Sequence, residues 1–210
     1  DESSKGKTFE KEGARILQDE SDRITYSEAS TVSIHTLVTP RAGEYQLVLS
    51  DGTKVWINAD SSLEFPTAFP GKERRVRLSG EAYFEVDADP DRPFVITTSA
   101  MDVVVTGTTL NICHYPGEEA TTTLVEGALY ISDQEQQQLY LRPGQQAIVT
   151  ETDPQVIVKE VNTESYTSWV TGMLVFQGMT LKDLAKRMER WYDVEVQFND
   201  TRSQNIRFSG

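Results

Sequence analysis

YQLVLSDGTKVWIN, residues 45–58, is the stretch whose reading decides the fold. Two runs of strand-forming residues meet at Ser50-Asp51-Gly52, and two registers compete. A two-residue Asp51-Gly52 loop sets Tyr45, Leu47 and Leu49 on one face with Lys54, Trp56 and Asn58. A three-residue loop, Ser50 to Gly52, pairs Leu47 with Val55 and Tyr45 with Ile57. The second is favoured. It makes one apolar face, leaves Gln46, Val48, Lys54 and Trp56 on the other, and puts Gly52 in the left-handed backbone region that glycine enters without steric cost. A slip of one residue would send the apolar set to the wrong face, so the stretch is a hairpin with one buried side.

The same alternation runs outward in both directions. On the C-terminal side come a strand at 62–65 and a turn at Phe69-Pro70-Gly71. Residues 75–79 then alternate with Val76 and Leu78 inward. Gly80 breaks the run, and Ala82, Phe84 and Val86 resume it with Glu81, Tyr83 and Glu85 facing away. An Asp/Pro-rich loop over 87–93 cannot continue a strand. Strands follow at 94–98, 103–106, 110–114, 121–125, 128–132, 139–141, 145–150 and 156–161. Turn signals such as Thr106-Gly107, Pro116-Gly117, Glu126-Gly127 and Arg142-Pro143-Gly144 separate them, with a polar loop over 132–138. On the N-terminal side, Val32, Ile34 and Val38 lie in a strand-like run ended by Pro40 and Gly43. Residues 1–30 are polar and weakly patterned, a weakly structured segment or an edge of the β domain; 10–19 fit a short helix or a strand equally. Short strands at regular spacing predict a mainly β chain, an antiparallel all-β sandwich or solenoid-like domain. No strict repeat favours the solenoid.

The pattern changes after Pro154. A strand over 169–176, a helix over 180–192, a strand over 194–198 and the start of another at Ile206 and Phe208 predict a small α+β (βαβ) module. Thr180 caps the helix, with Asp183 as its acidic partner. Leu181, Leu184, Ala185, Met188, Trp191 and Tyr192 share one side; Lys182, Lys186, Arg187 and Arg190 hold the other. The expected division is a β domain over 31–161 and a C-terminal module over 162–210.

The chain has 210 residues and a net charge of -13. That balance repels phosphate backbones and anionic lipid, so neither nucleic acid nor a membrane surface is an expected partner. No run of about 18 apolar residues is present to span a bilayer. No signal peptide is visible, and the charged start reads as that of a mature or trimmed piece of something longer. Cys113 is the only cysteine, so no internal disulfide forms, and the compartment stays open.

A search for reaction chemistry returns nothing positive. Glu81 and Glu85 share a strand face with backbones roughly 13 Å apart, beyond the roughly 5–9.5 Å of glycosidase carboxylate pairs. They read as solvated acids. His35 and His114 are the only histidines and do not cluster with acids at ligand spacing, so no metal is expected. Cys113 and His114 are neighbours on a strand and point to opposite faces, which makes no dyad and leaves Cys113 as a small core hydrophobe. Gly107 and Gly127 are turn glycines rather than a phosphate loop. Trp56, Tyr83, Trp169, Trp191 and Tyr192 suit sugar or base stacking, and suit core and sheet packing better. No catalytic residue, cofactor or metal site is expected, which favours a binding or signalling module over an enzyme.

GEYQLVLSDGTKVWINADSSLEFP (43–66) resembles the periplasmic domain of FecR-type anti-sigma factors, especially those of Bacteroidetes-like bacteria. RRVRLSGEAYFEV (74–86), PFVITTSAMDVVVTGTTLNI (93–112), TTTLVEGALYI (121–131) and LRPGQQA (141–147) fit in order. GMLVFQGMTLKDLAKRMERWYDVEVQF (172–198) is similar to the domain that commonly follows, a module like the secretin and TonB-receptor N-terminal fold. The resemblance implies a periplasmic part attached to the inner membrane by a single helix outside this chain. It implies two partners: the N-terminal signalling domain of a TonB-dependent outer-membrane transducer, and an extracytoplasmic-function sigma factor held by a cytoplasmic segment also outside it. It implies no enzyme activity, no nucleic acid and no direct membrane contact by this stretch. Family members usually carry a second helix-containing half after the point where this sequence stops, so the C-terminal module is expected to be truncated or to continue beyond Gly210. Such a half-module leaves a strand edge open, which makes Val196, Phe198, Ile206 and Phe208 the candidate partner-binding residues. The competing reading is a carbohydrate-binding or carbohydrate-active all-β envelope protein, and a third is a purely structural one.

Overall fold

In the computed structural model, which describes residues 7–11, 14–19, 23–27, 31–132, 138–150 and 156–210, the hairpin forms in the three-residue register. Tyr45 pairs with Ile57, Gln46 with Trp56, Leu47 with Val55 and Val48 with Lys54. The Leu49 N–H donates to the Thr53 carbonyl at 2.9 Å to close the loop, and Gly52 takes φ 92°. Leu47, Val55 and Ile57 are buried, while Trp56 is half-buried on the opposite face. Each buried side chain of this size contributes about 1.5–3 kcal/mol by leaving water.

Among the described residues, sixteen strands build the β domain: β1 (Lys7–Lys11), β2 (Ala14–Gln18), β3 (Arg23–Tyr26), β4 (Ile34–Thr39), β5 (Tyr45–Val48), β6 (Lys54–Ile57), β7 (Ser61–Pro66), β8 (Arg74–Glu85), β9 (Phe94–Thr97), β10 (Asp102–Val105), β11 (Thr109–His114), β12 (Ala120–Glu126), β13 (Leu129–Ser132), β14 (Gln138–Leu141), β15 (Gln145–Val149) and β16 (Ile157–Glu160). One sheet runs β1-β2-β3-β5-β6-β8-β11-β12-β15-β16, the other β4-β7-β8-β9-β10-β13-β14. All pairings are antiparallel except β3 with β5 and β8 with β9. Of residues 10–19, which fit helix or strand equally, Glu10 and Lys11 end β1 and Ala14–Gln18 form β2, paired antiparallel at the end of the first sheet; residues 12 and 13 lie outside the described residues. The loop read over 132–138 and the change at Pro154 fall largely outside the described residues.

The long strand β8 belongs to both sheets. Leu78 and Ser79 pair with β7, whereas Ala82 and Phe84 pair with β6 and β11. Gly80, at φ 98°, is the corner between these halves, so the strand turns there instead of ending. A Cβ on Gly80 would lie 2.6 Å from the Ser61 Cβ. Only glycine supplies both that backbone angle and that space. Leu47, Val55, Ile57 and Ile112 of one sheet and Leu63, Phe65, Phe94 and Val103 of the other share a single buried cluster. Val32, Ile34 and Val38 face out and are exposed, and Leu37 packs on the core in their place.

After β16 come α1 (Glu164–Thr167), a 3-10 turn (Ser168–Thr171), β17 (Met179–Thr180), α2 (Leu181–Tyr192), α3 (Thr201–Gln204) and β18 (Arg207–Phe208). The helix α2 starts as its sequence requires. The Thr180 hydroxyl accepts from the Asp183 N–H and donates to the Asp183 carboxylate. Asp193 ends it in the left-handed region at φ 50°. The portion is α+β, but two expected strands do not form. Over 169–176 the backbone coils into the 3-10 turn and reverses at Gly172, φ 73°. Over 194–198 the Val196 N–H donates to Glu189 Oε1 at 2.9 Å instead of joining a ladder. β17 and β18 pair antiparallel, Met179 with Phe208 and Thr180 with Arg207, so α2 does not cross between parallel strands. Among the described residues, no helix is long and apolar enough to cross a membrane.

Candidate functional site

Glu81, Asn58 and Asn111 stand on the outer face of the first sheet, where the C-terminal segment covers them. Alternation along β8 turns Glu81 away from the core, as the sequence requires, yet its exposure is 8%. The expectation of a solvated acid is therefore corrected. Asn58 Nδ2 donates to Glu81 Oε2 at 2.8 Å, and Asn111 Nδ2 donates to Glu81 Oε1 at 2.9 Å. The amide oxygens face the other way. Trp191 Nε1 donates to Asn58 Oδ1 at 2.9 Å, and Trp169 Nε1 donates to Asn111 Oδ1 at 3.1 Å.

These five side chains form one chain of hydrogen bonds with a single consistent direction. Indole N–H groups only donate and a carboxylate only accepts, so both amides must point their NH2 at Glu81. Each bond to the ionised carboxylate is of the stronger, charge-assisted kind. A cavity of about 20 Å³ lies beside it, lined by Tyr115, Leu174 and Arg187 among others, with room for about one water.

A second contact lies beside the first. Arg190 Nη1 donates to Glu118 Oε1 at 2.8 Å, and Lys186 Nζ stands 3.5 Å from the same oxygen. The Arg190 guanidinium lies over the Tyr115 ring, 3.7 Å from its centroid. Burial opposes the Arg190 charge most strongly, but the Glu118 bond together with the charges of Tyr115, Glu118 and Cys113 holds the guanidinium above its usual range. The Ala42 N–H donates to the Arg190 carbonyl at 2.8 Å, a backbone bond between the two parts. Lys186, Arg187 and Arg190 of the cationic side of α2, with Trp191 from the border of the apolar side, thus face the β domain, while Lys182 is exposed. The apolar side of α2 is left partly open, with Met188 and Tyr192 exposed.

Of the four residues predicted to bind a partner, Ile206 and Phe208 lie at or beside β18 and are 51% and 42% exposed. Val196 and Phe198 are half-buried outside any strand, so the structure does not bring all four to one edge. The ribbon of β17 and β18 has no third strand among the described residues, and its backbone pairing extends through the mutual bonds of Phe176 and Gly210. Cys113 is half-buried beside Glu81 on the outer face rather than in the core. Burial, then the Glu81 charge, pushes its thiol up. His114 is buried, with Nδ1 3.4 Å from the Ser99 hydroxyl. Glu85 pairs with Lys54 at 3.2 Å, separate from the Glu81 network. Trp56 and Tyr83 meet edge to face, centroids 5.5 Å apart, and are half-buried.

Asn58, Asn111, Tyr115 and Glu118 escaped the sequence reading. One signal was present: Asn111 sits between Leu110 and Ile112 in a buried strand, where an amide requires hydrogen-bond partners.

The model of the family described as FecR protein matches residues 35–130, and that of the FecR C-terminal domain matches residues 173–210. Two crystal structures of a candidate anti-sigma factor from Parabacteroides distasonis ATCC 8503 are similar to this chain. The first, at 1.65 Å, has 27% identity and a TM-score of 0.77 over 84% of each chain. The second, at 2.50 Å, has 27% identity and a TM-score of 0.75 over 85% of this chain and 84% of that one. No curated protein matches the sequence.

Proposed function

We propose, for a chain that belongs to the FecR family through two domains spanning more than half of its length, that it is the periplasmic signal-receiving part of an inner-membrane anti-sigma factor. FecR proteins are regulators rather than enzymes. In this reading a TonB-dependent outer-membrane transducer presents its N-terminal signalling domain to the C-terminal module. The signal then passes to an extracytoplasmic-function sigma factor through a segment outside this chain.

The observation that carries the reading is the β17–β18 ribbon, two strands with open edges inside the FecR C-terminal domain. A two-stranded ribbon is marginal alone, and an added strand supplies main-chain bonds and covers apolar side chains such as Ile206 and Phe208. Titration calorimetry of this chain against the cognate signalling domain tests it. Binding is expected at micromolar concentration and is weakened at least about tenfold by Phe208→Asp, the loss of one buried anchor. No heat at high micromolar concentration overturns it. The carbohydrate reading draws no support from Trp56 and Tyr83, which pack on each other edge to face rather than forming a flat platform.

A further inference from the structure

The C-terminal module is fastened to the β domain outside the main apolar cluster, through polar groups and the rings of Trp169, which is buried, and Trp191. Among the described residues, none after Val149 belongs to the buried apolar cluster; Val156, partly buried, is the last of them to pack against it. The polar bonds between the two parts among the described residues include the indole–amide–carboxylate chain centred on Glu81, the Glu118 pairing with Lys186 and Arg190, and a backbone bond at Ala42. Charge follows the same division. Residues 162–210 carry six Lys/Arg and six Asp/Glu, so the whole -13 falls on residues 1–161. A neutral module therefore presents the cationic side of α2 to an acidic body.

We infer that this contact is a latch: the C-terminal module docks on and lifts off a β domain that stays folded in both states, with Trp191–Asn58–Glu81 and Arg190–Glu118 as the catch. Nothing in the core is torn when it opens, because the β domain closes its apolar cluster without the module. Polar contacts between domains of one chain permit relative motion unless a large apolar area is shared. The catch is also directional. Glu81 accepts from both amides, so the two tryptophans are held through one carboxylate, and losing one bond loosens the orientation of the other.

Undocking uncovers Glu81, Glu118 and the cationic side of α2 together. A partner preferring the undocked module would shift the equilibrium by its difference in affinity for the two states. That signalling role rests on the function proposed above; the latch itself does not.

Amide hydrogen exchange on this chain without any partner tests it, so its failure is distinct from a failure to bind the transducer. The Ala42 amide, bonded to the Arg190 carbonyl, reports docking. The Leu47 and Val55 amides report the β domain. Arg190→Glu and Glu118→Gln are each expected to speed Ala42 exchange about tenfold or more while Leu47 and Val55 keep their protection, as in a sub-global opening. Raising sodium chloride from about 0.05 to 0.5 M is expected to speed Ala42 in the same selective way, since salt screens the pairs with Glu118. Trp191→Phe, which keeps the ring and removes the N–H, is expected to act in the same direction. Unchanged Ala42 exchange in Arg190→Glu overturns the inference. So does equal loss of protection at Ala42, Leu47 and Val55, because the two parts would then unfold as one unit.

Discussion

Arg74 Nη1 donates to Asp51 Oδ2 at 2.8 Å, and both side chains are almost wholly buried. This pair ties the turn of the β5–β6 hairpin to the first residue of β8. Asp51 also accepts from the Thr53 N–H and hydroxyl, and Arg74 donates to the carbonyls of Asp87 and Arg92. Removing one partner leaves the other as an uncompensated buried charge. Asp51→Ala is expected to cost about 3–5 kcal/mol. Urea unfolding measures it, and the double variant Asp51→Ala with Arg74→Met is expected to cost less than the sum of the two singles. A cost below about 1 kcal/mol for Asp51→Ala would place the pair in a solvated setting.

Gly80 combines φ 98° with a Cβ position already taken by Ser61. Gly80→Ala is expected to lower stability by about 3 kcal/mol through backbone strain and the clash. Ser61→Gly in the same chain removes only the side-chain part of the clash and recovers a fraction, since the Ser61 Cα stays 2.7 Å from the new Cβ and the angle persists. Thermal unfolding of Gly80→Ala, Ser61→Gly and the double variant separates the contributions; full recovery would show that neither the backbone angle nor the approach to the Ser61 Cα costs anything.

Glu81→Gln replaces an acceptor-only group by one that presents an NH2 to Asn58 or Asn111. One of those amides must then turn over, and its tryptophan loses its acceptor. The expected cost is about 2 kcal/mol, that of a lost hydrogen bond to a buried charged group. The signature is a change at one indole N–H resonance, Trp169 or Trp191, with Trp56 unmoved. Identical spectra for wild type and variant would refute the chain of bonds.

Alkali is expected to destabilise the β domain. Burial raises the Tyr26 hydroxyl from 10.0 to about 12. Burial, then the charges of Glu85 and Glu126, raises Tyr83. Burial, then the Glu81 charge, raises Tyr115. A group whose folded value lies above its unfolded one contributes stability below the unfolded value and loses it as pH rises toward the folded one. Stability is thus expected to hold to about pH 10 and fall from there through about 12. Tyr26 is only partly buried, so solvent screening keeps its own share of the loss below what the full shift would give. Tyr26→Phe is expected to flatten part of that fall in a series of thermal melts, and an unchanged slope would count against its burial as the cause.

Where side-chain identity and backbone geometry act within a few residues, the sequence was legible. The Ser50–Gly52 register, the apolar face of Leu47 and Val55, the inward run of Ala82 and Phe84, and the Thr180 cap all follow from alternation, glycine freedom and capping. Gly80 was seen as a break and proved a corner, because a positive φ can end a strand or redirect it, and only the sheet on the far side decides which.

Glu81 and α2 mark what only the tertiary structure decided. Alternation sent Glu81 away from the core, correctly, but what covers that face comes from Trp169 and Trp191, far along the chain. Helical spacing separated the cationic and apolar sides of α2, correctly, but the cationic side turned inward because an acidic body offered Glu118 and Tyr115 to it. Periodicity determines which side chains share a face. Which face meets the protein depends on charges and donors brought together by folding, and no local pattern records them.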